Sequence, residues 1–245
     1  PPPDRAAGVA AIVAAAVFTA AFALLGVTFD YPAVLDEGAA QILARYADAG
    51  TATRALWYLM MVASLAFVPV AVLLGRSLAA RLPGRSALND LTVTIGVLAG
   101  LLQAVGFARW TFVVPYLAQA YTDPAATPAT RDAVVVAFEV VHRFVGGALG
   151  EHLGFALTAA WALGVAVLLA RAARRPDLGK ASSLSLNLGK DAFLPLVGAV
   201  SALAIATGTV EVTGATWPGL PVAAGYALFA AWLVWIGVRM LARRP

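Results

Sequence analysis

The chain has 245 residues and a net charge of +4; 61% of its residues are hydrophobic, only 12% are charged, and cysteine is absent. Soluble domains carry about 25% charged residues, so this composition excludes a chain whose whole surface faces water. The absence of cysteine excludes disulfides, thiolate metal sites and cysteine nucleophiles.

Six apolar runs follow one another along the chain, and each is long enough to cross a bilayer, which takes about 20 residues in an α-helix. The first run is too long for the apolar part of a signal peptide, and no small-residue cleavage site follows it. We therefore predict an all-α, polytopic membrane protein built as a single six-helix transmembrane domain over residues 1–245. The spans are expected at about 6–29, 55–75, 91–116, 133–170, 192–210 and 219–240.

Two connections between the spans have a distinct composition. Residues 35–47 place Leu35, Ile42 and Leu43 opposite charged side chains, which predicts a short amphipathic helix on the outer surface. Residues 174–190 are rich in serine and glycine and carry several charges, which predicts a flexible cytoplasmic loop.

The basic residues are distributed unevenly over the connections. If the N terminus lies inside, most of the 17 lysine and arginine residues fall in cytoplasmic segments, and the outer connections hold only Arg45, Arg54 and Arg131. Membrane proteins keep lysine and arginine on the cytoplasmic side, so this pattern predicts that both termini are cytoplasmic. It accounts for the basic charge without nucleic acid, and it predicts a multi-pass protein of the plasma membrane.

The fourth apolar run is much longer than a bilayer requires. Residues 133–170 would extend about 57 Å as one α-helix at about 1.5 Å per residue, whereas the hydrocarbon core is about 30 Å thick. We predict a long, extended fourth helix whose first part lies outside the core. This segment carries both histidines of the chain, His142 and His152, together with Glu139 and Glu151.

A continuous α-helix advances about 100° per residue, which decides the faces of this segment. On that assumption Glu139 and Arg143 lie four residues apart on one face, in the favourable order for an ion pair. Glu151 and His152 point elsewhere unless glycines interrupt the helix. Three glycines on the same face predict a site where a partner helix can approach closely. The stripe consists of Glu139, His142, Arg143, Gly146, Gly150 and Gly154.

Charged side chains of other spans fall at the same level of the bilayer. An arginine facing lipid at a helix centre costs about 2.5–3.5 kcal/mol, so Arg109 is expected to be paired within the protein. We predict an outward-facing polar cluster that binds a ligand. Its polar members are Arg109, Glu139, His142, Arg143, Glu151, His152 and Glu211, and its aromatic members are Trp57, Tyr58, Trp110 and Tyr116.

Two kinds of chemistry would suit this cluster. One is acid–base catalysis by a histidine beside a carboxylate, and the other is binding of a single divalent metal ion. In a straight helix the two histidines lie about 15 Å apart, so one ion cannot touch both unless Gly146 and Gly147 open the chain. The alternative is that the cluster has no chemical role, and that Glu151 only neutralises the positive charge of Arg109. The candidates for both kinds of chemistry are Glu139, His142, Glu151 and His152.

Three segments of the chain carry a likeness to a known family. They cover residues 57–74, 109–124 and 138–161 and resemble the bacterial six-span membrane proteins grouped as the domain-of-unknown-function 4386 family. The resemblance spans about residues 20–170 and implies a bacterial inner-membrane protein without an assigned reaction. It is most specific in Arg109-Trp110 and Gly150-Glu151-His152, and it gives weight to the cluster of Arg109, Glu151 and His152 without naming its use.

These observations favour an integral membrane protein whose outward-facing cavity binds a small amphipathic or lipid-like molecule, with or without chemical turnover. A transporter is the first alternative, but it needs polar groups deep in the bilayer, and the spans offer few, such as Thr92, Gln103 and Ser201. A scaffold or sensor subunit is the second, and it would use the glycine face to dock a partner helix.

Overall fold

The structure is a computed structural model, and it describes residues 3–82, 86–173, 193–215 and 219–242. Within these ranges all regular structure is helical. Two 3-10 helices cover Ala33–Asp36 and Thr207–Thr213, and a π-helix covers His142–Leu153. The α-helices are α1 (Pro3–Phe29), α2 (Ala39–Asp48), α3 (Gly50–Leu65), α4 (Phe67–Ala79), α5 (Ala87–Phe112), α6 (Val114–Thr122), α7 (Pro128–Val141), α8 (Gly154–Ala173), α9 (Phe193–Ala206) and α10 (Gly219–Leu241).

Six helical segments are long and apolar enough to cross a membrane, which confirms the predicted all-α fold with six spans. The fourth is the longest, at 46 residues, so the extended fourth segment is also confirmed. The proposed loop at 174–190 lies outside the described residues, and the side of the membrane that each terminus faces stays a prediction. The segments are Asp4–Phe29, Gly50–Ala79, Ala87–Thr122, Pro128–Ala173, Phe193–Thr213 and Gly219–Leu241.

A proline divides the third span into two helices. α5 ends at Phe112, and α6 begins at Val114 with Pro115 in its first turn. Proline lacks the N–H that an inner helical turn donates, and its ring clashes with the carbonyl four residues earlier, whereas a first turn tolerates it. The position of Pro115 therefore explains why the helix is interrupted shortly after Arg109.

The connection after α1 contains the predicted amphipathic helix. The run divides into the 3-10 helix Ala33–Asp36 and α2, and α2 buries Ile42, Leu43 and Tyr46. The helix is confirmed, but its apolar face packs into the core of the protein rather than lying free at the surface.

The described helices form two compact units, each with its own hydrophobic core. The prediction of one domain over the whole chain stays a prediction. The first unit comprises Pro1–Ala16, Ala66–Leu101 and His152–Pro245, and the second comprises Val17–Leu65 and Leu102–Glu151.

Tryptophans hold the core of the first unit together. Trp161 packs edge-to-face on Phe67, with ring centroids 4.7 Å apart, and Trp161 and Trp232 are both fully buried. The indole Nε1 of Trp232 in α10 donates a hydrogen bond to the carbonyl of Leu194 in α9 at 2.8 Å. A buried indole N–H needs such an acceptor, so this bond both satisfies Trp232 and ties α9 to α10.

Two hydroxyl groups in the spans of the first unit bond to their own helix. Thr92 Oγ1 donates to the Leu88 carbonyl at 2.7 Å, and Ser201 Oγ donates to the Gly198 carbonyl at 3.0 Å. Hydroxyls satisfied by the preceding turn do not need a polar partner across the bilayer. This arrangement weakens the transporter interpretation, which relied on such groups.

Replacing Trp232 with phenylalanine is expected to destabilise the protein, because the indole donor to Leu194 is lost and a void opens beside it. The free energy of unfolding should fall by about 1–3 kcal/mol, measured as a lower thermal midpoint in mild detergent. The control is Trp235→Phe, a change at a partly buried position of the same helix, which should lower the midpoint less. Equal shifts for the two variants would contradict this role of Trp232.

Candidate functional site

Arg109 lies in the last turn of α5 and is the buried charge of the second unit. Its side chain is only 4% exposed, and its Nη1 donates to the carbonyl of Gly106 at 2.6 Å. The guanidinium carbon also lies 5.2 Å from the ring centroid of Trp110, within cation–π distance. Its Nε has no hydrogen-bond partner among the described residues. A buried cation with so few acceptors needs a negative charge nearby.

Glu151 supplies that negative charge. Its Oε1 lies 3.7 Å from Nη2 of Arg109, which is close enough for an ion pair and longer than a hydrogen bond. The two partners differ in access, because the Glu151 side chain is 31% exposed and the Arg109 side chain is almost inaccessible. The pair therefore presents a carboxylate outward and keeps its arginine inside.

The π-helix explains how Glu151 reaches Arg109. A π-helix bonds residue i to residue i+5, so Gly146 and Glu151 lie on nearly the same side of it. Gly146 faces the guanidinium, since a Cβ atom there would lie 2.4 Å from Cζ of Arg109. The prediction of a continuous α-helical stripe was wrong over His142–Leu153. The α-helical advance of about 100° per residue, on which that prediction depended, does not apply to a π-helix.

Two glycines allow the π-helix to touch α5. A Cβ atom on Gly150 would lie 2.8 Å from the Cα of Gly106, and one on Gly106 would lie 2.6 Å from the Cα of Gly150. The two backbones are therefore in direct contact, which brings Glu151 within reach of the end of α5. Gly146 and Gly150 of the predicted docking face are thus in contact with α5 of the same chain, which weakens the scaffold interpretation.

Stacked aromatic rings pack around Trp110, whose ring lies against the buried arginine. The rings of Trp57 and Trp110 are nearly parallel with centroids 4.6 Å apart, and Phe29 packs edge-on against both. Tyr46 Oη donates a hydrogen bond to the Trp110 carbonyl. The indole Nε1 atoms of Trp57 and Trp110 have no partner among the described residues. Through Trp110, this cluster covers one side of Arg109 with apolar surface.

Two tyrosines outside the spans stay protonated in this environment. Burial raises the pKa of Tyr46 to about 12, although the positive charge of Arg54 opposes the change. Burial also raises the pKa of Tyr31 above the ordinary value of 10.0, and the negative charge of Glu151 raises it further, while Arg109 lowers it. Tyr31 therefore offers a neutral phenol in the electrostatic field of the Arg109–Glu151 pair.

His142 belongs to the same unit but is held by aromatic contacts. Its ring stacks on Phe138, with centroids 5.2 Å apart, and its edge meets Trp110 at 6.0 Å. Its Nδ1 is buried and without a partner among the described residues. The carboxylate of Glu139 does not serve it, because Glu139 pairs with Arg143 at 3.3 Å, as the i, i+4 spacing predicts.

The remaining predicted residues lie away from this pair or in the other unit. Tyr58 and Tyr116 are 52% and 72% exposed. His152 and Glu211 belong to the first unit, where His152 is partly buried and Glu211 is exposed. In the parts of the chain that the structure describes, no group of three or more histidine, cysteine, aspartate or glutamate residues is placed to hold a metal ion. The predicted metal set of Glu139, His142, Glu151 and His152 stays a prediction.

Sequence reasoning missed the residues that complete the site. Phe29 ends the first span, Tyr31 follows it, and Tyr46 lies in the last turn of α2, where aromatic residues suggest no more than an interfacial belt. Gly106 carries no pattern of its own, since its role appears only when Gly150 packs against it. These contacts join residues that are far apart in the sequence, so the spacing of neighbouring residues cannot predict them.

The comparisons with known proteins identify the family of the chain. The family model described as "Domain of unknown function (DUF4386)" matches residues 6–237, a range that contains every residue of the site. No curated protein and no solved structure matches the chain. The resemblance seen in the sequence over about residues 20–170 is thus confirmed and extends over almost the whole chain.

Replacing Gly150 with alanine is expected to force the π-helix away from α5, because the new methyl group would meet the backbone of Gly106. Overpacking of this kind costs about 1–3 kcal/mol of unfolding free energy, measured by thermal unfolding in detergent. Gly147→Ala is the matched control, since nothing lies within 4 Å of the position its Cβ would take. If Gly147→Ala destabilised the protein as much as Gly150→Ala, the proposed backbone contact would be refuted.

Proposed function

The chain belongs to the DUF4386 family and is an integral membrane protein with six membrane-length helices, and we propose that it binds the polar head of a small amphipathic molecule at the Arg109–Glu151 pair. The head carries hydroxyl or amine donors that bond to the carboxylate of Glu151. The apolar part of the molecule lies along the neighbouring spans. In this proposal the site opens to the outer side of a bacterial plasma membrane.

The proposal rests on one observation, which is that the two charged side chains differ in solvent exposure. Arg109 is buried beside Glu151, while the Glu151 side chain is 31% exposed. An ionised carboxylate has about four acceptor positions, and Glu151 accepts no hydrogen bond from the described residues. A carboxylate with free acceptor positions inside a membrane-spanning segment favours a ligand that donates hydrogen bonds.

The depth of Glu151 supports an amphipathic ligand. The 20 residues of α8 extend about 30 Å, which is the thickness of the hydrocarbon core, and Glu151 precedes the first residue of α8, Gly154, by three positions. If α8 crosses the core, Glu151 lies at its edge, where a polar head and an apolar tail separate. The indoles of Trp57 and Trp110 are also typical of that level.

Chemical turnover is a narrower form of the same proposal. Glu151 would then act as the general base, because it is the accessible carboxylate beside a fixed cation. Among the other catalytic candidates, His142 is held between aromatic rings, and Glu139 is engaged by Arg143. These contacts favour structural roles for both residues, outside the proposed binding site. His152 stays a candidate catalytic residue, because its Nδ1 is buried and has no hydrogen-bond partner among the described residues.

Glu151→Gln tests the binding site directly. Monoolein and dodecylamine carry donor heads, whereas laurate carries an acceptor head, and each can be titrated into the purified protein and followed by native mass spectrometry. We expect the first two to bind the wild-type protein more tightly than laurate. Loss of the charged acceptor in Glu151→Gln should weaken their binding by about tenfold, the value of one charge-assisted hydrogen bond.

Glu139→Gln provides the matched control, because it makes the same chemical change in an exposed ion pair two turns or more away along the chain. Its affinity for monoolein and dodecylamine should equal that of the wild type. Unchanged binding by Glu151→Gln, or equal losses in the two variants, would overturn the proposal.

A further inference from the structure

A groove in the first unit lies between the end of α4 and the beginning of α5. Its volume is about 410 Å³, within the range of small-ligand sites. Because α4 ends at Ala79 and α5 begins at Ala87, the groove opens where two spans end and lipid headgroups begin. Its walls include Val72, Gly75, Arg76, Asn89, Asp90 and Val93.

Close packing of the two helices forms the floor of the groove. A Cβ atom on Gly75 would lie 2.1 Å from Cγ2 of Val93, so these positions leave no room for a larger side chain. The helices therefore touch at this level, and both residues of the contact also line the groove. Val72 and Val93 line it with apolar surface of the kind that accommodates acyl chains.

The groove carries one charge of each sign. Arg76 lies in the last turn of α4 and Asp90 in the first turn of α5, and both side chains are exposed. Favourable interaction with the two helix dipoles explains why these charges occur there. It does not explain Asn89, which is only 5% exposed and whose Oδ1 has no hydrogen-bond partner among the described residues.

We propose that this groove binds the phosphoethanolamine headgroup of a phospholipid. The guanidinium of Arg76 contacts the phosphate, and the ammonium donates to the Asp90 carboxylate and, once the amide turns outward, to Asn89 Oδ1. The paired charges of Arg76 and Asp90 match a zwitterion rather than a net anion. A choline head fits less well, because its quaternary ammonium has no N–H to donate.

This site is independent of the Arg109–Glu151 pair, since all its residues belong to the first unit. The test uses the full-length chain in mild detergent and native mass spectrometry. The probes are dioleoyl phosphatidylethanolamine, dioleoyl phosphatidylcholine and dioleoyl phosphatidylglycerol, which share the same acyl chains. We expect the ethanolamine lipid to bind about tenfold more tightly than the other two, the ratio that one charge-assisted hydrogen bond provides.

Two substitutions locate the preference in the groove. Arg76→Gln and Asp90→Asn should each reduce the tenfold preference to near unity, while Asp48→Asn, a change of an exposed carboxylate in α2, should leave it intact. Thermal unfolding of each variant verifies its fold, and if Asp90→Asn does not fold, Arg76→Gln decides the result.

Three results would overturn the proposal. The first is equal binding of the ethanolamine and choline lipids, and the second is tighter binding of the glycerol lipid. The third is displacement of the ethanolamine lipid by an equal concentration of free O-phosphoethanolamine, which would assign the groove to a soluble metabolite instead.

Discussion

A guanidinium buried in a membrane-spanning segment must be neutralised by the chain itself, and the second unit is organised around this constraint. Arg109 donates a hydrogen bond to one carbonyl of its own helix and forms an ion pair with the carboxylate of Glu151, which belongs to a distant segment. The close contact of Gly106 with Gly150 and the π-helical register of His142–Leu153 both serve to bring that carboxylate into place. Removing a buried charge from its partner is strongly destabilising, so these features depend on one another.

The two units use different means to stay folded. The first is held by indole rings, aliphatic side chains and hydroxyls that bond within their own helices. The second combines a stack of aromatic rings with an ion pair, of which only the carboxylate reaches the surface.

The sequence predicts those features whose cause is local. The six spans follow from runs of apolar residues, α2 from its amphipathic pattern, and the Glu139–Arg143 pair from i, i+4 spacing, and all three are present in the structure. The second, third and fourth helical segments extend beyond the predicted spans. The π-helix could not be predicted, because its register follows from Gly146 meeting Arg109 some forty positions earlier in the chain. Arg109 and Glu151 were expected to pair because hydrocarbon disfavours single charges, but the angular positions assumed for the helix had placed Glu151 on another face.

The central claim is that Arg109 and Glu151 stabilise the fold as one coupled pair. A double-mutant cycle with Arg109→Gln, Glu151→Gln and the double variant, followed by reversible unfolding in detergent, measures that coupling. The account predicts that the double variant is more stable than the sum of the single losses implies, with a coupling free energy of about 0.5–3 kcal/mol. Additive losses, with no coupling beyond experimental error, would contradict it.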